Sequence, residues 1–189
     1  MQSQNTASKT WDTQSIESIE IYAPWATQIL ISGNPNATAV SIEYKSDGEY
    51  QNNVTLSSSF TEKKLIIAER WIPNFKQFND KLSAHKVIAT KLNIEIPHHI
   101  SSTFVADDAS MIFRGALDNI DVTLKNGVFQ FYGTAQSGKI QTVSAAVMVL
   151  NKELLVDAKS RTGDVKVISN SKNHPVLKIQ SISGNIYQE

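Results

Sequence analysis

The 189-residue sequence has no cysteine. A disulfide, a thiolate nucleophile and a cysteine-ligated metal are therefore excluded. It also lacks an excess of charge, because 18 basic and 18 acidic side chains cancel to a formal net charge of zero. A nucleic-acid or anionic-membrane partner held mainly by the charge of the whole domain is excluded in turn. No apolar run approaches the roughly 20 residues of a membrane-spanning helix. No linker rich in Gly, Ser or Pro divides the chain, so it reads as one continuous architecture. No catalytic or cofactor motif rises above background.

What the sequence does have is one pattern written five times between Phe104 and Glu189. Its marker is a small residue: Ala109, Gly127, Ala145, Gly163 and Gly184. The first three intervals are 18 residues and the last is 21. Two residues after each marker stand Met111, Phe129, Val147, Val165 and Ile186; four after stand Phe113, Phe131, Val149 and Val167, with Gln188 closing the series. Five before stand Phe104, Val122, Ile140, Ala158 and Ile179. A fixed period with apolar residues in register marks a repeat architecture, and alternation on a period of two within each copy marks strands. The reading is a stack of β-coils about 4.8 Å apart, in which equivalent residues form ladders. The ladder expected inside is Met111, Phe129, Val147, Val165, Ile186, in that order. Gln130, Met148, Lys166 and Asn185 point outward. A small residue is expected at the marker because the chain bends there.

The first half reads as shorter strands. Ile16, Ile19 and Ile21 precede Pro24, and Ile29 and Ile31 precede the turn cluster Ser32 to Asn36. Val40, Ile42 and Tyr44 alternate next and end at Asp47-Gly48, which predicts a tight hairpin. Val54 and Leu56 form another strand, and Leu65, Ile66 and Ile67 a fourth, with a turn at Glu62 to Lys64 between them. Leu92, Ile94 and Ile96 are inward in a strand that Pro97 ends. The polar first residues lack the apolar core of a signal peptide. They read either as a native start or as a mature region whose export signal was replaced by an initiating Met. The expected plan is a disordered leader over 1–14 and a single elongated all-β domain over 15–189. Within it, N-terminal strands over 15–97 run into or cap the β-coils of 98–189. The terminal coil is expected to be covered by a second copy or by the N-terminal strands.

The loop over 71–86 breaks this rhythm. Its aromatics, Trp71, Phe75 and Phe78, fold back on the core or present themselves to a partner. Asp107-Asp108, with Asp118 and Asp121 downstream, reads as an acidic patch or as turn-forming, solvated residues. Calcium is not indicated, because the Gly-Gly-x-Gly-x-Asp spacing is missing. His98 and His99 are adjacent and point to opposite faces of a strand, which does not suit one metal. His85 and His174 lie far away in sequence. Ser83 with His85 lacks a nucleophile elbow and an orienting third group. The tryptophans and tyrosines suit either sugar stacking or core anchoring. Asn36-Ala37-Thr38 and Asn53-Val54-Thr55 match the glycosylation acceptor pattern.

The iterated Ser-x-x-Gly-x-(Val/Ile) of Ser160 to Val167 and Ser181 to Tyr187, with the lead-in Leu92 to Pro97, resembles the bacterial putative-adhesin family of all-β repeat proteins. The resemblance covers roughly Lys91 to Glu189. It implies a β-helix-like fold, export to the periplasm or cell surface, and no catalytic residues. Ala109 and Ala145 stand where that pattern favours Gly. The combined expectation is a parallel β-helix or solenoid-like protein without enzyme activity, metal or cofactor. It would act as an adhesin or a binding and assembly module at the cell envelope, with a protein or glycan partner and a homo-oligomer through the C-terminal coil. Its candidate contact residues are Trp71, Phe75, Phe78, Asp107 and Asp108. Two alternatives are a carbohydrate-active enzyme using Asp107 and Asp108, and an envelope scaffold or regulator.

Overall fold

The computed structural model describes residues 5–48, 52–73, 88–168 and 176–189. Among these the chain is all-β, with no helix. Seven strands form the first half: β1 (Asn5–Asp12), β2 (Ser18–Ala23), β3 (Ala26–Asn34), β4 (Ala39–Gly48), β5 (Val54–Thr61), β6 (Lys64–Trp71) and β7 (Ile88–Pro97). Seven more follow: β8 (Ser101–Phe131), β9 (Thr134–Thr142), β10 (Ala146–Val149), β11 (Val156–Ser160), β12 (Val165–Lys166), β13 (Leu177–Ser181) and β14 (Ile186–Gln188).

Pairing runs along two series. One is β1-β4-β7-β3-β8-β10-β14-β12, and the other is β5-β6-β2-β8-β9-β13-β11. The long strand β8 belongs to both. Its residues 101–106 register with β2, 110–115 with β3, 116–124 with β9 and 128–131 with β10. The bend before the last of these is set by Gly127, whose φ is 100°. A Cβ there would also stand 2.2 Å from the carbonyl oxygen of Ala109, 18 residues earlier. Both the backbone conformation and the close approach call for glycine.

From β2 and β3 onward every pairing is parallel, while β1-β4, β4-β7 and β5-β6 are antiparallel. The expected 18-residue spacing reappears as register: Val122 pairs with Ile140 and Phe129 with Val147. Ile21 beside Phe104 and Ile29 beside Met111 carry the same rows into the first half. Alternate residues of the strands point into a common core, where Phe104, Phe113, Phe129 and Phe131 are fully buried. The rings of Phe113 and Phe131 lie 4.8 Å apart between centroids.

Four expectations are corrected. The inner ladder does not follow chain order: Val147 pairs with Ile186, and Ile186 pairs in turn with Val165. The other series does the same, with Ile179 between Ile140 and Ala158. The final segment is thus inserted between its two predecessors. Side-chain size gives a physical reason, since the inner place holds Leu177, Ile179 and Ile186, all fully buried. The smaller Val156, Ala158 and Val165 take the outer place, and burying the larger apolar set is the more favourable arrangement. It follows that the segment at the end of both series is 156–167, not the C-terminal one expected to meet a second copy.

Asn5–Asp12, placed in a disordered leader over 1–14, instead forms β1 along the whole of Ala39–Ser46. Its polar side chains are mostly exposed, so composition concealed a strand held by backbone pairing. Asp47-Gly48 makes no tight hairpin, because β4 pairs with β1 and β7 whereas β5 pairs with β6. Gly48 does adopt a φ of 100°. The tight hairpin is at Glu62-Lys63, which joins Thr61 to its partner Lys64.

Candidate functional surface

The Ser-x-x-Gly motif closes the bends between the two series. Ser181 Oγ accepts the N–H of Gly184 at 2.8 Å, and Ser160 Oγ accepts that of Gly163 at 3.0 Å. Serine suits the place because its short side chain folds back to a nearby backbone donor. The Thr142 hydroxyl donates to Ser181 Oγ at 2.8 Å, and Ser160 Oγ donates to the carbonyl of Gly184 at 2.9 Å. The hydroxyls therefore tie three successive bends together. Glycine is required at 184 by proximity, because a Cβ there would stand 2.0 Å from the carbonyl oxygen of Ala145. A groove of about 650 Å³ runs beside these bends, lined by Gln141, Thr142, Lys159, Ser160, Arg161, Gln180, Ser181 and Ile182.

The acidic residues do not converge. Asp107 pairs with Lys125 at 2.7 Å, Asp118 accepts from Gln136 at 2.6 Å, and Asp121 accepts the N–H of Lys139 at 3.0 Å. Each partner is 18 residues further on, so each carboxylate links one pass of the chain to the next. Among the described residues no three His, Cys, Asp or Glu side chains are grouped to hold a metal ion. His98 and His99 meet edge to face at 5.5 Å.

Trp71 ends β6 half-buried, its ring 5.1 Å from that of Trp25. Trp25 and Asp108 line one shallow hollow of about 430 Å³, with Pro24, Thr27, Ile88, Ala109, Ser110, Gly127 and Val128. Trp25 is thus in contact with Trp71 and shares the hollow with Asp108. Phe75, Phe78, Ser83, His85 and His174 lie outside the described residues.

Beneath this hollow is a group the sequence reading missed. Glu69 is buried, accepts the N–H of Trp25 at 2.8 Å, and receives the Thr90 hydroxyl. Burial pushes its carboxyl up to about 6, outweighing the hydrogen bonds from Thr90 and Trp25. Tyr44 is also raised, first by burial and then by the charge of Glu69, and its hydroxyl is buried without a hydrogen-bond partner among the described residues. The signal was available, because period-two alternation from Leu65 and Ile67 puts Glu69 on the inner face.

Among the described residues, strands without helices, paired in long parallel rows, define the class as all-β with an unclosed sheet. More particularly, the fold is similar to that of a putative cell adhesion protein from Clostridium sporogenes, at a TM-score of 0.61 and 14% identity. That likeness covers 99% of this chain and 100% of the other. A putative adhesin from Bacteroides fragilis aligns over 97% of this chain and 96% of its own, at 11% identity and a TM-score of 0.40. No protein-family model and no curated protein matches the sequence. No helix among the described residues is long and apolar enough to cross a membrane.

Proposed function

We propose that the chain is a non-catalytic, exported, β-solenoid-like protein that acts as an adhesin or binding module at the cell envelope. The observation that carries this reading is the parallel register. It lines outward side chains up in rows such as Asp121-Lys139-Lys178-Asp157 and Thr123-Gln141-Gln180-Lys159. Rows of this kind offer an extended contact surface of the sort stacked architectures use for binding. The neighbour of like fold from Clostridium sporogenes, described as a putative cell adhesion protein, supports the same reading. The contact residues proposed are Trp71, Phe75, Phe78, Asp107 and Asp108, with a surface protein or glycan as the partner.

A glycan and matrix-protein array probed with the purified chain tests this. Specific binding is expected, weakened in a Trp71→Ala/Asp108→Ala variant that keeps its circular dichroism spectrum. Release of products from a polysaccharide, abolished by Asp108→Ala, would replace binding with catalysis. Recovery of the native protein only in the cytosolic fraction would remove export from the reading.

A further inference from the structure

Segment 156–167 ends both pairing series: among the described residues β11 pairs only with β13, and β12 only with β14. Among the described residues each strand therefore leaves one backbone edge unpaired, which is a template for another strand. The interior is open at the same place. Val165 is 37% exposed, and Val156, Ala158 and Val167 are only partly buried against the core.

The two edges share one pattern. β11 carries Asp157-Ala158-Lys159 and the run at β12 reads Asp164-Val165-Lys166, with all four charged side chains exposed. Among the described residues none of the four forms an ion pair, although Lys166 Nζ lies 6.0 Å from the centre of the Tyr187 ring. An antiparallel pair centred on the middle residue of such a triplet sets each acid opposite the base of the other strand. Residues directly opposite in a sheet share a face, so Asp157 meets Lys159, Asp164 meets Lys166, and the apolar middle residues meet across the interior. Ala158 and Val165 each stand two residues outside the bend of Ser160 to Gly163, and both free edges lie on the side away from β13 and β14. The two edges therefore face one partner, and a single two-fold axis is required to satisfy both at once, as in a self-complementary interface.

We propose that the chain forms a two-fold dimer through segment 156–167, with β11 and β12 each pairing antiparallel with their own copies about Ala158 and Val165. The dimer does not depend on what the side faces bind. A parallel pairing in the same register would set like charges together, so the pattern selects the antiparallel partner. Pairing also closes the interface, and assembly stops at two.

Because the chain has no cysteine, Ala158→Cys is a direct test in the full-length protein. Two such residues facing each other across an antiparallel pair come within disulfide reach. Oxidation is expected to give a covalent dimer, and the outward Lys178→Cys is expected not to. In light scattering the wild type is expected to be a dimer. Lys159→Asp, which sets Asp157 against a like charge, is expected to make it a monomer, and the swap Asp157→Lys/Lys159→Asp to restore the dimer. These outward positions are exposed, so the swap decides the matter even where Ala158→Cys folds poorly. A strictly monomeric wild type, an oligomer larger than two, or a dimer indifferent to Lys159→Asp would overturn the proposal. So would a folded Ala158→Cys variant that fails to cross-link, and an edge that takes up an added strand peptide while the chain remains a monomer.

Discussion

Ile186 lies between Val147 and Val165, in parallel register with both. The last residues of the chain therefore sit inside the pairing series, and a segment made earlier sits at its end. A buried side chain loses stability on truncation in proportion to the apolar contact removed and the cavity left, and an exposed one loses little. Position along the series, and not along the sequence, should set the cost.

Ile186→Ala is expected to lower stability by about 2–5 kcal/mol, the range for truncating a fully buried isoleucine. Val165→Ala, at a side chain 37% exposed in the single chain, is expected to cost under about 1 kcal/mol in the Lys159→Asp background, where no second copy covers it. Urea unfolding of the two variants measures the difference. Equal costs, or a larger one at Val165, would restore the chain-order ladder.

Glu69 makes stability depend on pH. Its carboxyl is raised from 4.5 to about 6 by burial, so the folded protein holds the proton more tightly than the unfolded chain does. The stabilisation is then fully present below the unfolded value and is lost as pH rises through about 6. The displacement corresponds to ~2 kcal/mol. Denaturant midpoints at a series of pH values from 4 to about 7 should fall across that window. Glu69→Gln is expected to flatten this component of the curve, because the amide still accepts from Trp25 and can donate to Thr90. An unchanged curve in the variant would assign the pH dependence to other groups.

The strands were legible because their inner residues alternate without interruption, as Leu92, Ile94 and Ile96 or Phe129 and Phe131 do. Register was legible as far as Val147, where segments adjacent in sequence are adjacent in the sheet. It failed at Val165, again 18 residues on, because the segment that follows after 21 residues is inserted between them, and spacing alone does not say on which side of its predecessor a segment lies. That choice rests on side-chain size at 156–167 against 177–188, a comparison that periodicity does not make. β1 was not legible because an edge strand held by backbone bonds needs no apolar pattern. Of the candidate residues, Trp71 packs on Trp25 and Asp108 lines a hollow with Trp25, while Asp107 is engaged by Lys125.

Gly127→Ala should be among the most damaging single-methyl changes in the chain. The substitution meets a φ of 100°, and its Cβ would lie 2.2 Å from the Ala109 oxygen. Backbone strain at such a site costs about 1–3 kcal/mol before any clash is relieved. A thermal melt is expected to show a loss of several degrees or more for a domain of this size. A melting temperature within one degree or so of wild type would mean that the bend is not held as described.

Ser181→Ala tests the hydroxyl ties between bends. Ser181 Oγ accepts from the Gly184 N–H and from Thr142, both at 2.8 Å. Removing it leaves Gly184, which is buried, with an unsatisfied donor, at a cost of about 1–3 kcal/mol. Thr162→Ala removes an exposed hydroxyl bonded to the Ile182 carbonyl, and is expected to change stability by no more than about 0.5 kcal/mol. A double-mutant cycle with Thr142→Val separates the tie from the donor it satisfies, since residues in one network couple by about 0.5–3 kcal/mol. Coupling near zero would leave Ser181 as a local turn residue that does not join one pass of the chain to the next.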